Sequence, residues 1–283
     1  MTDLNVSLLP WQQKVWNDPI RFQVIAAGRR TGKSRLAAWK LIIEGLTAKK
    51  GHVFYVAPTQ GQARDIMWQM LLELGHPVIA SSHVNNLQIK LVNGATIALK
   101  GADRPETMRG VSLKFLVMDE YADMKPEVWE QILRPALADQ KGSAMFIGTP
   151  MGRNHFYDLY NYAVIGDDET FGGYHFTSYD NPLLDPKEIE AAKKSMSVFS
   201  FRQEFMASFE AQGSELFKED YISFDDEEPK GGEYYIAVDL AGFADVQKVT
   251  TKTKRLDQTA ISVVKASENG WWVANIIHGR WGV

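Results

Sequence analysis

Short apolar blocks of two periodicities alternate along the first half of the chain. Phe22–Ala27 (FQVIAA) is an apolar run with β-branched members, then a Gly-containing turn, then SRLAAWKLIIEGL, whose apolar spacing is helical. His52–Ala57 (HVFYVA) reads as a second strand stopped by Pro58, and Ala63–Leu74 (ARDIMWQMLLEL) as a second helix. A β-α-β-α start of this kind predicts a mainly parallel sheet covered by helices on both faces. Leu87–Lys100 alternates about Asn93-Gly94, which suits a tight primed turn, so a hairpin is expected. Lys114–Met118 (KFLVM) and Ala144–Ile147 (AMFI) are further buried strands, each ending at a polar cluster. In open α/β sheets, chemistry collects at such carboxyl ends.

From Asp180 to Glu210 a turn (DNPLLDP) leads into two helical stretches. Periodicity is then lost across AQGSELFKEDYISFDDEEPKGGE, which gains Gly, Pro and acids and reads as a linker. Tyr234–Asp239 (YYIAVD), Thr259–Lys265 and Trp271–Ile277 predict three strands of a second, β-rich unit. No internal repeat is visible.

The 283 residues, at roughly 150 per domain, fit about two domains. Apolar residues at 45% and charged residues at 23% exclude a collagen-like or wholly disordered chain. Lys and Arg number 31 against 35 Asp and Glu, a formal charge of −4, so a uniformly basic nucleic-acid coat is excluded while local phosphate-gripping patches are not. The absence of Cys removes disulfides, thiol nucleophiles and Cys-ligated zinc, and fits a reducing cytosol. The N-terminus has no basic segment before a long apolar stretch, and no apolar run reaches the roughly 20 residues of a membrane span, so a soluble protein without a secretory signal is expected.

Ala27–Ser34 reads A-G-R-R-T-G-K-S, the phosphate-binding loop pattern with Ala27 in place of its first Gly. Backbone N–H groups and the following helix N-terminus would still face phosphates. Gly28 and Gly32 permit close approach, Lys33 would reach the β and γ phosphates, and Ser34 would ligate Mg²⁺. A solvated Gly-Lys-Ser turn is the plain alternative, weakened by the strand before and the helix after. Phe115–Met118 followed by Asp119-Glu120 supplies the complementary half: Asp119 to hold the magnesium shell through water, Glu120 to polarise the attacking water. Alone these acids would read as a helix cap. Together with the loop they point to an ATPase.

Thr149, in IGTP after the next strand, is a candidate for a hydrogen bond near the γ-phosphate, or an ordinary turn residue. Trp11 and Gln12 precede the first strand, where an amide would bond adenine and an indole lie near its face, or both would simply pack a helix start. Arg29, Arg30 and Arg109 are candidates for a guanidinium at the γ-phosphate, from this chain or a neighbouring subunit, with a salt bridge as the plain reading. Asp239 and Asp257 flank strands of the second unit and would converge on one or two hard cations, although two acids do not complete a two-metal site. Between them Lys248, Lys252, Lys254 and Arg255 form a basic patch suited to a phosphate backbone, or a solvated hairpin. The six His include no zinc-hydrolase pair, and no GxSxG occurs.

WQQKVW, AGRRTGKS, VAPTQGQA, MRG, FLVMDEYADM, GTPMGRNHFYDLY, DNP, FRQEFMASF and YYIAVD occur here in one order. In that order and spacing the chain resembles the large terminase subunit of tailed bacteriophages, the ATP-driven motor that packages viral DNA. The resemblance covers nearly the whole chain, and its specificity lies in the ordered set.

It implies an α/β fold: a P-loop ATPase domain of the ASCE type over residues 1–211, with a helical lid part from about 180. A linker over 212–230 and part of an RNase H-like nuclease over 231–283 follow. By the resemblance Gln12 is the adenine contact, and Ala27, Gly28, Arg29, Arg30, Thr31, Gly32, Lys33 and Ser34 are the Walker A loop. Asp119 and Glu120 are the Walker B pair, Thr149 the coupling residue, and Asp239 the first nuclease acid. Arg109 is the candidate acting on a neighbour's ATP. Implied cofactors are ATP and Mg²⁺, with Mg²⁺ or Mn²⁺ in the nuclease. Implied partners are double-stranded DNA, a portal protein and a small terminase subunit, in a homo-oligomeric ring on the procapsid in the host cytoplasm. The chain stops at Val283 before the family's later acids, so DNA cleavage by this chain alone is not expected. Two rival readings stand beside this one. A superfamily-2 helicase-like ATPase shares the loop and acid pair but needs a second RecA-like domain, and a nucleotide-gated assembly scaffold would not need Glu120.

Overall fold

Runs such as FQVIAA, buried at every position, cannot be faced with water on either side and so form the interior strands of a helix-covered sheet. In the computed structural model, residues 4–48, 51–210, 223, 225, 227–239, 259–268 and 270–279 are described. The chain divides into two compact units, Met1–Leu216 and Phe217–Val283.

The first unit opens with α1 (Pro10–Asn17), β1 (Phe22–Ala27), α2 (Lys33–Thr47) and β2 (His52–Ala57). The helix expected over 63–74 is present in three continuous pieces: α3 (Gln60–Ala63), a π-helical turn Arg64–Trp68, and α4 (Gln69–Gly75). β3 (Ile79–His83), β4 (Gln88–Leu91) and β5 (Thr96–Gly101) follow, β4 and β5 pairing antiparallel about Asn93-Gly94 with Gly94 at φ 84. Then come β6 (Leu113–Asp119), a second π-helical turn Val128–Leu133 running into α5 (Arg134–Ala136), β7 (Ser143–Gly148), α6 (His155–Ile165), β8 (Phe171–Phe176), α7 (Pro186–Ser195) and α8 (Val198–Met206).

These make one eight-stranded sheet in the order β3-β4-β5-β2-β6-β7-β1-β8. From β5 to β8 every neighbouring pair is parallel, and β4 and β3 extend that edge antiparallel. Alternate strand residues feed two apolar cores. Ile25, Tyr55, Val117 and Ile147 pack against Leu36, Leu41 and Ile42 of α2, with Trp11 of α1. Val24, Phe54, Leu116 and Phe146 pack on the opposite face against Trp129, Leu133 and Phe156. With the central strands parallel, the turns after Ala27, Ala57, Asp119 and Gly148 share one edge of the sheet, the edge where such folds bind ligands.

The sequence does not predict β8, because Phe171–Phe176 reads FGGYHF and paired glycines suggest a turn. The glycines serve packing: a Cβ on Gly173 would lie 2.3 Å from Val164 Cγ2 of α6, and one on Gly172 3.1 Å from Ile20. Among the described residues of the second unit, β9 (Glu233–Asp239), β10 (Thr259–Ser267) and β11 (Gly270–Gly279) form an antiparallel sheet in the order β11-β10-β9, the three strands expected. Asp239 is the last residue of β9. Asp257, the basic cluster Lys248–Arg255 and most of the expected linker lie outside the described residues.

Candidate nucleotide-binding site

β1 ends at Ala27, and α2 begins at Lys33 with Gly32 as its N-cap at φ 97, a left-handed conformation that glycine adopts without a Cβ clash. Residues 28–32 therefore bridge a buried strand end and a helix N-terminus. Thr31, fully buried, turns its hydroxyl inward to donate to Gly28 O at 2.9 Å. Ser34 is half-buried in the first turn of α2, and Arg30 is exposed at φ 61.

Two sets of contacts hold this loop from outside. From α1, Trp11 Nε1 donates to Thr31 O at 3.1 Å and Gln12 Nε2 to Gly32 O at 2.9 Å, while Gln12 Oε1 accepts from Leu9 N at 2.8 Å. Gln12 is fully buried: its Nε2 ties α1 to the loop, and its Oε1 closes a capping bond to Leu9 at the start of α1 itself. From the 176–206 region, Gly28 N donates to Phe176 O at 3.0 Å and Arg29 N to Glu204 O at 2.7 Å. Ser178 Oγ donates to Arg29 O at 2.7 Å, Asn181 Nδ2 donates to Arg30 O at 2.6 Å, and the Arg29 guanidinium pairs with the Glu204 carboxylate. The sequence alone does not single out Ser178, Asn181 or Glu204, although the DNP and FRQEF segments that carry Asn181 and Glu204 stand out in it.

Lys33 is the chemical centre. Its ammonium is buried and donates to Ala27 O at 2.8 Å, Gly28 O at 3.0 Å and Thr149 Oγ1 at 3.2 Å. Burial pulls it below the usual lysine range, opposed by the negative charges of Glu120 and Asp119. Thr149 follows β7, the strand between β1 and β6, so it stands between the loop and the acids. Its backbone N–H donates to Glu120 Oε2 at 3.2 Å.

Glu120 adopts φ 51 and ψ 50, a left-handed conformation that costs a non-glycine residue about 1 kcal/mol and is found preferentially at functional sites. Asp119, at the end of β6, is buried, with its Oδ1 accepting from Glu120 N at 2.9 Å and its Oδ2 from Tyr55 OH at 2.5 Å. Burial raises its carboxyl above the ordinary aspartate range to about 6, and the neighbouring Glu120 adds to the rise.

Lys33, Thr149 and the acid pair are thus brought together. Arg109 is not bonded to them: it lies in the connection between β5, which ends at Gly101, and β6, which begins at Leu113, and its side chain is exposed. Asp239 belongs to the other unit.

A Gly-Lys-Ser loop after β1, with an acid-bearing strand removed from it by one intervening strand, defines an α/β protein of the phosphate-loop class with an added central strand. A family profile described as "Terminase large subunit, T4likevirus-type, N-terminal" matches residues 24–224, and the chain belongs to that family. The terminase large subunit of Escherichia phage T5 is 32% identical, with 70% of this chain aligned to 46% of that protein. The one from Thermus phage G20c is 26% identical, with 69% of this chain and 47% of that protein aligned. The chain spans about half the length of these curated relatives.

Among solved structures, the large terminase ATPase domain of Thermus phage P74-26 superimposes with a TM-score of 0.65 at 24% identity, covering 73% of this chain and 95% of that one. The large terminase of a thermophilic bacteriophage, in complex with ADP, gives 0.62 at 15% identity, covering 96% of this chain and 68% of that one. At these identities the likeness is one of fold.

Proposed function

We propose that the first unit hydrolyses ATP and that hydrolysis drives double-stranded DNA into a viral procapsid. The observation that carries this reading is the continuous link Lys33–Thr149–Glu120, which joins a phosphate loop to a water-polarising acid through the strand between them. A scaffold that only binds nucleotide has no use for Glu120 in that link. The family and the ADP complex of the thermophilic phage protein support the same nucleotide.

The donor set suits magnesium. Ser34 offers a hydroxyl and Asp119 a carboxylate, hard oxygens of the kind Mg²⁺ combines with retained waters and phosphate oxygens. When bound, the ion would neutralise charge on the β and γ oxygens. The chain's own residues do the rest. Amides of residues 28–34 and the α2 N-terminus cradle the phosphates, and Lys33 leaves its loop carbonyls for them. Glu120 orients a water, and Thr149 reports the state of the γ-phosphate to β7. Trp11 and Gln12 set the loop from the adenine side, with Gln12 as the adenine contact. Arg29 and Arg30 stand beside the γ-phosphate.

Arg109 acts on the ATP of a neighbouring subunit in a ring seated on the portal protein of a procapsid, with a small terminase subunit selecting the DNA, in the cytoplasm of the infected host. Contacts with DNA fall on phosphates, since a motor must accept any sequence. Asp239 begins a nuclease metal site for Mg²⁺ or Mn²⁺, with Asp257 as its second acid.

The test is Glu120→Gln, which keeps an oxygen for Thr149 N but cannot act as a base. ATP turnover should fall by about 10²- to 10⁴-fold while nucleotide binding persists. Unchanged phosphate release overturns the reading.

A further inference from the structure

Tyr55 interrupts the apolar run of β2 with a hydroxyl, and the residue is fully buried. A buried tyrosine hydroxyl needs a partner, and the register supplies one. Tyr55 pairs with Val117 of β6 in the parallel ladder and shares its face in the α2-side core. Asp119 lies two residues further along the same face. Two residues of strand span about 6.6 Å, comparable with the length of an extended tyrosine side chain. The hydroxyl therefore meets Asp119 Oδ2 at 2.5 Å.

The other carboxylate oxygen accepts from Glu120 N at 2.9 Å. A carboxylate accepts at about four lone-pair positions. Two of them are held here by donors from opposite sides, one on a neighbouring strand and one on the following residue. Without Tyr55 only the local bond to Glu120 N would remain, and the carboxylate would be free to turn about it.

We propose that Tyr55 is a positioning residue for Asp119, fixing the rotation of the carboxylate so that its remaining lone pairs face the hydrated magnesium of the bound nucleotide. The proposal rests on the nucleotide reading above. It assigns a function to the VFYVA strand in addition to its place in the core. Phenylalanine would fill the same space and leave Asp119 Oδ2 without its donor.

The experiment measures binding of a fluorescent ATP analogue to the full chain, in excess EDTA and in Mg²⁺, for wild type, Tyr55→Phe, Asp119→Asn and the double variant. In wild type Mg²⁺ should strengthen binding. Tyr55→Phe should reduce that gain by about tenfold, the weight of one hydrogen bond to a charged group, leave the affinity in EDTA within about twofold, and lower kcat more than it raises KM. In the Asp119→Asn background the same change should alter nothing.

An undiminished Mg²⁺ gain in Tyr55→Phe overturns the role of Tyr55 while the nucleotide reading stands. Equal losses with and without Mg²⁺, or a loss that persists in the Asp119→Asn background, reduce Tyr55 to a core residue and also overturn it. Wild type that gains nothing from Mg²⁺ overturns the nucleotide reading and the inference with it. Should Tyr55→Phe fail to fold, 3-fluorotyrosine placed at position 55 retains the hydroxyl. Its fluorine resonance should move on adding ADP with Mg²⁺ and stay in place with ADP in EDTA, and a resonance indifferent to Mg²⁺ overturns the proposal.

Discussion

The Lys33 ammonium lies 3.2 Å from the Thr149 hydroxyl, and the backbone N–H of the same threonine holds Glu120 at 3.2 Å. One residue thus bonds the Lys33 ammonium and the Glu120 carboxylate, by two separable groups. Thr149→Val removes the first contact and keeps the second, with little change of shape. A hydrogen bond to a charged group contributes about 1.5–3 kcal/mol. If it acts mainly in the transition state, kcat should fall by roughly 10- to 100-fold with KM within about threefold. Steady-state phosphate release checks this. A rise in KM at constant kcat would place Thr149 in ground-state binding instead.

Gly28 is required by packing. A Cβ there would lie 2.4 Å from Phe205 O and 2.9 Å from Ser178 Oγ, and the first of these is backbone of α8 that cannot swing aside. Gly28→Ala should cost about 1–3 kcal/mol, lowering Tm by about 2–10 °C for a unit of this size, and should weaken nucleotide binding as the loop parts from α8. Gly110, at φ 72 with nothing within 4 Å of its Cβ position, is the control. There alanine meets backbone strain alone, about 1 kcal/mol, and nucleotide binding should not change. Equal effects of the two substitutions on binding would show that α8 does not brace the loop.

The central strands and the phosphate loop are legible in the sequence because their causes are local: unbroken apolar runs make buried parallel strands, and a Gly-Lys-Ser turn between strand and helix leaves little alternative. The Asp119-Glu120 pair is readable for the same reason. Contacts that join distant segments are not. Nothing in the spacing of Asn181 or Glu204 announces that they hold the Arg30 carbonyl and the Arg29 guanidinium, because the partners lie 151 and 175 positions apart and only the completed sheet brings them together. Gln12 reads either as an adenine contact or as part of a packed helix start, and in the structure its amide bonds Gly32 and Leu9. β8 is hidden because its glycines, taken locally, signal a turn, whereas their reason is the close approach of α6.

Asp119 gives the folded protein a pH signature. Burial holds its carboxyl above the ordinary range, to about 6, so the folded state keeps that proton more tightly than the unfolded chain does. A group raised in this way favours folding below its unfolded value near 4 and loses that contribution as pH rises through about 6. Asp119→Asn removes the titration. The Tm of the variant minus that of wild type should therefore become more positive between pH 5 and 7.5, measured by thermal melts in matched salt. A difference that stays flat over that interval would mean that the Asp119 proton is not held in the fold.

The position of Arg109 yields the last prediction. It lies in the connection between β5 and β6, exposed and bonded to none of the phosphate loop, the acid pair or Thr149. On the reading proposed above, it acts on another subunit's nucleotide. Arg109→Ala should then lower ATP turnover by about 10³-fold or more with nucleotide binding intact, and Glu120→Gln by the roughly 10²- to 10⁴-fold given above. Mixed together, the two inactive proteins should regain activity, because some interfaces pair an intact Glu120 with an intact Arg109 from the adjacent subunit. An arginine that served its own subunit would leave every site in the mixture with one defect, and no activity would return. Recovery should also depend on total protein concentration, since it requires assembly. Turnover that recovers independently of dilution would point to contamination by wild type rather than to shared sites.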